Sequence, residues 1–274
     1  MSELPPWPDG DLWLRLFPAS DYRLSMGVRP GEAGRFWRDS PEAAQVLSER
    51  QRWIAESPER HFSFLPEAEP VTTEGVAWFS SALGRAFREA HDVACGLEPD
   101  WVLLSGDAAS GFRVLGGAVA FPSGWGLEEK LGRPLAEVHD PVPGLAAAIG
   151  PQITTFLARI ASSSTWEREN WGLSADSSLN HHPAQCFARL GEKATLASTW
   201  LRLEQQFLTR LPHSRAILFG IRVTNHRLDA LLGAHPVLAA PMARALETMP
   251  DAIAAYKGLA AARTALVRQL AAVP

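Results

Sequence analysis

Residues 115–143 read LGGAVAFPSGWGLEEKLGRPLAEVHDPVP, and this stretch decides how the rest of the chain is interpreted. An apolar strand is followed by a Pro-Ser-Gly-Trp corner and a short charged helix that ends at His139. The sequence Asp140-Pro141-Val142-Pro143 follows His139. Each of the two prolines fixes its own φ and moves the preceding residue out of the helical region. His139 is therefore predicted to be held stiffly. On the residues alone, the simpler interpretation is a histidine that hydrogen-bonds a loop carbonyl.

The chain before this stretch predicts an irregular start and two helices. Residues 1–40 are rich in Pro, Gly and aromatic rings, so we expect them to wrap onto the domain rather than form a free tail. Ser40 as N-cap and Pro41 at the first helical position begin a helix that runs to about Glu56. A second helix with an apolar stripe is predicted over 74–95.

The remaining chain predicts a sheet with one helical excursion. A hairpin is expected first, then a helix interrupted at Gly150-Pro151, then three strands and two final helices. The predicted ranges are 100–106 and 112–121 for the hairpin, 144–162 for the helix, 165–173, 195–208 and 215–224 for the strands, and 236–248 and 251–271 for the final helices. This order indicates an α+β fold, one domain over 1–274, with about five antiparallel strands and 236–274 as a helical addition. The excursion over 126–162 is expected to cover one face of the sheet.

Composition excludes several classes of protein. The net charge of −4 and the lack of a dense basic run argue against nucleic acid as a partner. No apolar run is long enough for a bilayer, and no secretion signal is visible, so the prediction is a cytoplasmic protein. Cys95 and Cys186 are predicted to be reduced, buried thiols.

Most motifs that carry chemistry are absent from the sequence. It contains no G-x-G-x-x-G after a strand, no P-loop, no H-E-x-x-H and no C-x-x-C, so no flavin or iron–sulfur module is detected. His181 and His182 are adjacent, and neighbouring side chains point apart in most backbones. A surface or loop role is therefore expected for this pair rather than metal binding.

Polar residues occur inside two predicted strands. Arg168 and Asn170 share one face of their strand, and Arg202 and Glu204 share one face of theirs. The ordinary interpretation is a solvated sheet face with cross-strand ion pairs. If the excursion covers this face, the groups are buried, and buried charge persists only when it is paired or used.

With these segments in hand, the chain resembles the haem-dependent oxidative N-demethylase family, the alpha subunit of dimethylamine monooxygenase. The resemblance covers roughly residues 20–260, and its most specific block is 129–143. The matching residues are GGAVAFPSGW (116–125), EKLGRPLAEVHDPVP (129–143), RENW (168–171), RLEQQFLTRLPHS (202–214), FGIR (219–222) and Tyr256-Lys257-Gly258.

The resemblance implies a PAS-like antiparallel sheet that cups haem b against a helical layer. It also implies oxidation of a small methylated amine such as dimethylamine with O₂, releasing formaldehyde. Electrons would come from partner subunits that carry FMN and a 2Fe-2S cluster, which agrees with the absence of such modules here. The resemblance makes His139 the expected axial ligand of the haem iron.

The same resemblance implies roles for the polar strands and the corner. An arginine could polarise O₂, and Glu204 could hold a protonated amine by a charge-assisted hydrogen bond. The expected catalytic residues are Arg168, Glu204 and Arg222, and the expected cofactor contacts besides His139 are Phe121, Trp125, Asn170, Trp171 and Arg202.

The chain departs from the family pattern at Gln205, at Phe207 and over 223–226. These departures affect the expected substrate more than the haem. Two alternatives to an enzyme remain open: a haem gas sensor of PAS type without turnover, and a PAS-like protein without haem.

Overall fold

A seven-stranded antiparallel sheet forms the centre of the computed structural model, which describes residues 10–273. The strands are β1 (Arg29–Pro30), β2 (Phe62–Phe64), β3 (Asp100–Asp107), β4 (Gly111–Ala118), β5 (Thr165–Ser174), β6 (Trp200–Arg210) and β7 (Ile217–Arg227). The α-helices are α1 (Gly10–Leu16), α2 (Ala33–Phe36), α3 (Ala43–Glu56), α4 (Pro58–His61), α5 (Glu69–Leu83), α6 (Ala90–Gly96), α7 (Leu135–His139), α8 (Leu145–Arg159), α9 (Leu228–Ala234), α10 (Ala239–Thr248), α11 (Asp251–Tyr256) and α12 (Arg263–Leu270).

The strand order is β1-β5-β6-β7-β3-β4-β2, and all neighbouring strands are antiparallel. The five predicted strands are β3 to β7, which form one contiguous block, so the α+β class is confirmed. The predicted strand number is too low, because β1 and β2 extend the sheet at its two edges. Each edge strand has only two or three residues, which is too short to show an alternating pattern.

The two faces of the sheet have different coverings. Along β6, Leu201 and Leu203 face a core built with the terminal helices, while Leu208 faces the opposite side. There Leu208 packs with Leu157 and Ile160 of the segment that contains α7 and α8. The prediction that the excursion covers one sheet face is therefore confirmed. We call this covered side the polar face, defined by Arg168, Asn170, Arg202 and Glu204, which the β5–β6 register places together.

Several predicted helix bounds differ from the structure. The α8 helix continues through Pro151, which removes only its own N–H bond, while Ile149 and Leu157 on the same helix are buried. The predicted helix over 74–95 is α5 and α6, because Gly84 ends α5 in the left-handed conformation with φ 61°. Likewise, α11 and α12 replace one helix over 251–271. The predicted strand over 195–208 begins only at Trp200, after a 3₁₀ turn.

The N-terminal wrap is confirmed where it is described, and residues 1–9 of it lie outside the described residues. Leu12, Trp13 and Phe17 are buried against the terminal helices. The wrap is more regular than expected, since it contains α1, β1 and α2. Among residues 10–273, no helix combines the length and the apolar character needed to cross a bilayer.

A buried ion pair fixes the corner that follows β4. Asp100, at the start of β3, is 1% exposed and forms a salt bridge with Arg50, which is fully buried. The Asp100 carboxylate also accepts the backbone N–H groups of Ala120 (2.7 Å) and Phe121 (3.1 Å). The start of the Phe-Pro-Ser-Gly-Trp corner is therefore attached to the middle of the sheet.

Candidate functional site

The carboxylate of Glu204 lies at the centre of the polar face. Asn170 stands directly opposite it on β5 and donates from Nδ2 to Glu204 Oε2 at 3.2 Å. Gln206 donates from Nε2 to the same oxygen, also at 3.2 Å. Glu204 Oε1 accepts no hydrogen bond from any residue between 10 and 273. Two amides therefore orient the carboxylate and leave one oxygen available to a ligand.

Arg168 lies beside Glu204 and has little of its hydrogen-bonding capacity used. Its Nε is buried without a partner in the described chain, and its Nη2 lies 3.5 Å from Ser25 O. Burial lowers the pKa of Arg168, an effect opposed by the charge of Glu204. No carboxylate of the described residues lies within salt-bridge distance of this guanidinium. A buried donor left unpaired in this way is costly and is typical of a group that meets a ligand.

Lys257, which follows α11, places a second cation at the same site. Its Nζ donates to Trp171 O at 2.5 Å and lies 3.5 Å from Asn170 Oδ1. Burial lowers the pKa of Lys257 to about 8; Glu204 opposes this shift and Arg168 adds to it. At pH 7 the side chain is therefore still a cation. Tyr256 is 50% exposed, and burial together with Glu204 raises its pKa.

His139 faces this group from the last turn of α7. Burial lowers its pKa, and the nearby charges of Arg168 and Lys130 lower it further. The ring is therefore neutral at pH 7, and neither ring nitrogen has a hydrogen-bond partner in the part of the chain that the structure describes. The hydrogen bond to a loop carbonyl, which was the simpler interpretation of this histidine, is not formed there. A neutral imidazole with a free nitrogen is what a metal ion binds.

The corner residues Phe121 and Trp125 approach the site from the side of the excursion. Phe121 is 3% exposed and packs with Ile221 and Val223. Trp125 and Phe219 on β7 are both half-buried, and both pack against the same two apolar clusters. Partly exposed rings beneath a covered sheet face indicate an apolar wall next to the polar groups.

Arg202 belongs to the polar face, but the protein itself uses its guanidinium. All three of its nitrogens donate, and burial lowers its pKa to about 10. The acceptors are Ser123 Oγ (2.8 Å), Ser178 O (3.1 Å), Phe121 O (3.0 Å), Pro122 O (3.2 Å) and Leu179 O (2.7 Å). Arg202 thus joins the corner to the loop over 176–182. This arrangement indicates a positioning role instead of the cofactor contact expected from the sequence.

Replacing Arg202 with methionine is expected to lower the free energy of unfolding by about 3 kcal/mol, because several buried carbonyls lose their donor. Urea unfolding measures this change. Arg227→Met is the matched control on the neighbouring strand, since the Arg227 side chain is 50% exposed and its salt-bridge partner in the described chain is Asp229. If Arg202→Met leaves the free energy of unfolding unchanged but weakens hemin binding, Arg202 contacts the cofactor, as the sequence predicted.

Two further expected site residues lie on the opposite face of the sheet. Ile221 and Val223 face the excursion, so Arg222 between them points the other way. It donates to Phe36 O at 2.9 Å and pairs with Glu98 at 3.3 Å. Trp171 also lies on that face, with its ring 4.9 Å from the ring of Phe17. The structure does not bring Arg222 and Trp171 to the site, contrary to the grouping expected from the sequence.

The histidine pair lies in a loop, as expected, whereas the cysteines are less buried than expected. His181 and His182 lie in a loop but are buried, with His181 3.4 Å from Asp176 and His182 2.9 Å from Glu128. Within residues 10–273, no cluster of three His, Cys, Asp or Glu side chains could hold a metal ion. Both cysteines are free as predicted, but they are not buried, since Cys186 is exposed and Cys95 half-buried.

Sequence reasoning missed Lys257 and Gln206 as members of the site. The block Tyr256-Lys257-Gly258 was noticed as part of a resemblance, but nothing local shows that Lys257 meets Asn170, which lies 87 positions earlier. Gln206 follows from strand alternation, because it shares the face of Glu204, and this signal was available in the sequence.

Fold and site define an α+β protein in which a polar sheet face lies near an imidazole that has no hydrogen-bond partner among residues 10–273. Residues 91–267 match the model of the family described as haem-dependent oxidative N-demethylase, alpha subunit-like. This match covers more than half of the chain and includes His139, Arg168, Glu204 and Lys257. The chain therefore belongs to this family, which confirms the resemblance seen in the sequence.

Proposed function

We propose that this chain is the haem-binding subunit of an enzyme that oxidatively N-demethylates a small methylated amine such as dimethylamine. The observation that carries the proposal is the unbonded imidazole of His139 near Arg168, beside which Glu204 has one carboxylate oxygen available. The proposal includes O₂ as oxidant, formaldehyde as product and a cytoplasmic location. It also includes a separate reductase with FMN and a 2Fe-2S cluster.

The residues around His139 fit a haem b. His139 would hold the iron, and Trp125 and Phe219 offer half-buried rings against which a porphyrin can pack. The PAS-like character of the domain is part of the proposal, supported by the contiguous block β3 to β7 with the excursion between its second and third strands. When bound, haem supplies the activation of O₂ that no amino-acid side chain provides.

The polar face would bind and orient the amine. Glu204 Oε1 accepts a hydrogen bond from the protonated amine, and the amides of Asn170 and Gln206 keep the carboxylate in place. Arg168 is the donor proposed to polarise O₂, because its Nε–H is unpaired in the described chain. Burial of these groups under the excursion strengthens each of these interactions by excluding water.

Two measurements test the proposal in sequence. The absorption spectrum of the purified protein with added hemin should show a Soret band, and an artificial reductant in air should then give formaldehyde from dimethylamine. Absence of the band after reconstitution rejects haem binding. A normal band without formaldehyde from any small methylated amine supports a haem sensor and rejects the enzyme.

Replacing Glu204 with glutamine is expected to lower kcat/KM for dimethylamine by roughly 10- to 100-fold, since one charge-assisted hydrogen bond to the ammonium is lost. Formaldehyde release over a range of dimethylamine concentrations measures the change. Glu129→Gln is the control, because Glu129 is exposed on the excursion. Demethylation by E204Q at the wild-type rate would remove Glu204 from the mechanism.

A further inference from the structure

The site contains two cations that form no salt bridge within the described chain. Lys257 and Arg168 are half-buried, and neither is within salt-bridge distance of a carboxylate in residues 10–273. Glu204, the carboxylate of the site, is held by amides rather than by either cation. With Glu204 as the one negative charge among these three groups, the cluster has an excess positive charge. Partial burial of like charges is costly unless they are paired or used, so this excess favours binding of an anion.

The hydrogen-bonding capacity of the two cations points to the same conclusion. An ammonium group has three donors, and Lys257 Nζ uses one on Trp171 O and has only a long contact of 3.5 Å with Asn170 Oδ1. Arg168 keeps a buried Nε without a partner among the described residues. Unused donors on neighbouring cations suit a carboxylate, which has two oxygens that accept charge-assisted hydrogen bonds.

The relative positions of the groups limit the size of the ligand. The amide of Asn170 lies between the two charges, with Nδ2 on Glu204 and Oδ1 towards Lys257. The side-chain amide of Asn170 therefore bridges the gap between the carboxylate of Glu204 and the ammonium group of Lys257. A short zwitterion, with its amine and carboxylate a few bonds apart, spans this distance.

We propose that Lys257 donates to a carboxylate in a subsite beside Glu204, and that the neighbouring charge of Arg168 adds to the attraction. The carboxylate belongs either to an N-methylated amino acid, whose ammonium group binds Glu204, or to a propionate of the haem. The first of these sources rests on the proposed function and narrows its substrate from a simple methylated amine to one that carries an acid group. The subsite itself depends on neither turnover nor haem.

The test compares ligands with and without the carboxylate. On hemin-loaded wild-type protein, calorimetry should show N-methylglycine binding about tenfold or more tightly than dimethylamine and N-methylglycinamide. Lys257→Met should remove this preference, whereas Lys257→Arg should retain it. Lys193→Met is the control, because Lys193 is an exposed lysine outside the cavity.

A second titration separates the two sources of carboxylate. If the subsite serves a haem propionate, K257M lowers the affinity for hemin about tenfold, and hemin dimethyl ester binds wild type and K257M equally. If it serves the substrate, hemin affinity is unchanged in K257M. Equal binding of N-methylglycine and N-methylglycinamide, together with equal binding of hemin and its ester, overturns the proposal on the wild-type protein alone.

Failure of the proposed function can be recognised separately. N-methylglycine is also titrated into protein without haem, where the Lys257-dependent preference over N-methylglycinamide should persist. A protein that takes up no hemin but keeps this preference contradicts the proposed function and supports the subsite. The opposite result is a protein that demethylates dimethylamine but binds N-methylglycine no better than N-methylglycinamide and hemin no better than its dimethyl ester. This result supports the proposed function and overturns the subsite.

Discussion

Replacing His139 with alanine is expected to abolish the Soret band that the wild-type protein acquires with hemin. The ring of His139 lies near Arg168 of the polar face, and its nitrogens make no hydrogen bond within the described chain. Losing an outer-shell partner of a metal ligand costs roughly 10- to 100-fold in affinity, so losing the ligand itself should cost more. A hemin titration followed by absorption measures the effect.

The control for this experiment is His213→Ala, because His213 is exposed on the turn between β6 and β7 and far in sequence from the excursion. Added imidazole should restore the Soret band to H139A if the fold is intact, which separates a lost ligand from a lost fold. A Soret band of wild-type position and intensity in H139A would show that another residue holds the iron.

Alternation along single strands predicted the composition of the polar face but not its assembly. The sequence places Arg168 with Asn170 and Arg202 with Glu204, because residues two apart share a face. Only the β5–β6 register, which sets Asn170 opposite Glu204, shows that both pairs share one side of the sheet. Register depends on pairing partners and turn lengths that no local pattern contains.

Arg222 illustrates the same limit in the opposite direction. Successive residues of a strand point to opposite faces of the sheet. Both faces of β7 carry apolar residues, since Leu218 lies on one face and Ile221 on the other. The residue type alone cannot decide which face is polar. The family resemblance grouped Arg222 with Arg168, whereas its neighbours Ile221 and Val223 show that it points away.

The stiffness predicted for His139 came from its proline-flanked setting, which is local and therefore readable in sequence. The position of Lys257 is not local. It depends on the chain passing through α9, α10 and α11 before it reaches the edge of β5 at Trp171. Contacts of this kind follow from packing of the terminal helices on the sheet, which the apolar pattern of those helices predicts only in general terms.

Replacing Asp100 with asparagine is expected to lower the free energy of unfolding by about 3–5 kcal/mol, because it leaves the fully buried Arg50 cation without its carboxylate. The expected loss is large because the pair is buried, since an exposed ion pair contributes less than about 1 kcal/mol to stability. Urea unfolding of the two isosteric variants D100N and Asp21→Asn measures it. Asp21 pairs with Arg244 at 2.6 Å, but with side chains 65% and 54% exposed.

The effect of D100N should extend beyond stability to the site. Asparagine cannot accept from Arg50, Ala120 and Phe121 as the carboxylate does, because one of its two positions is a donor. The corner that leads from Phe121 to Trp125 would lose its attachment to β3, so D100N should also bind hemin more weakly under conditions where it is folded. Equal losses of stability in D100N and D21N would contradict this account, since they would show that burial of the Arg50 charge contributes nothing to holding the corner.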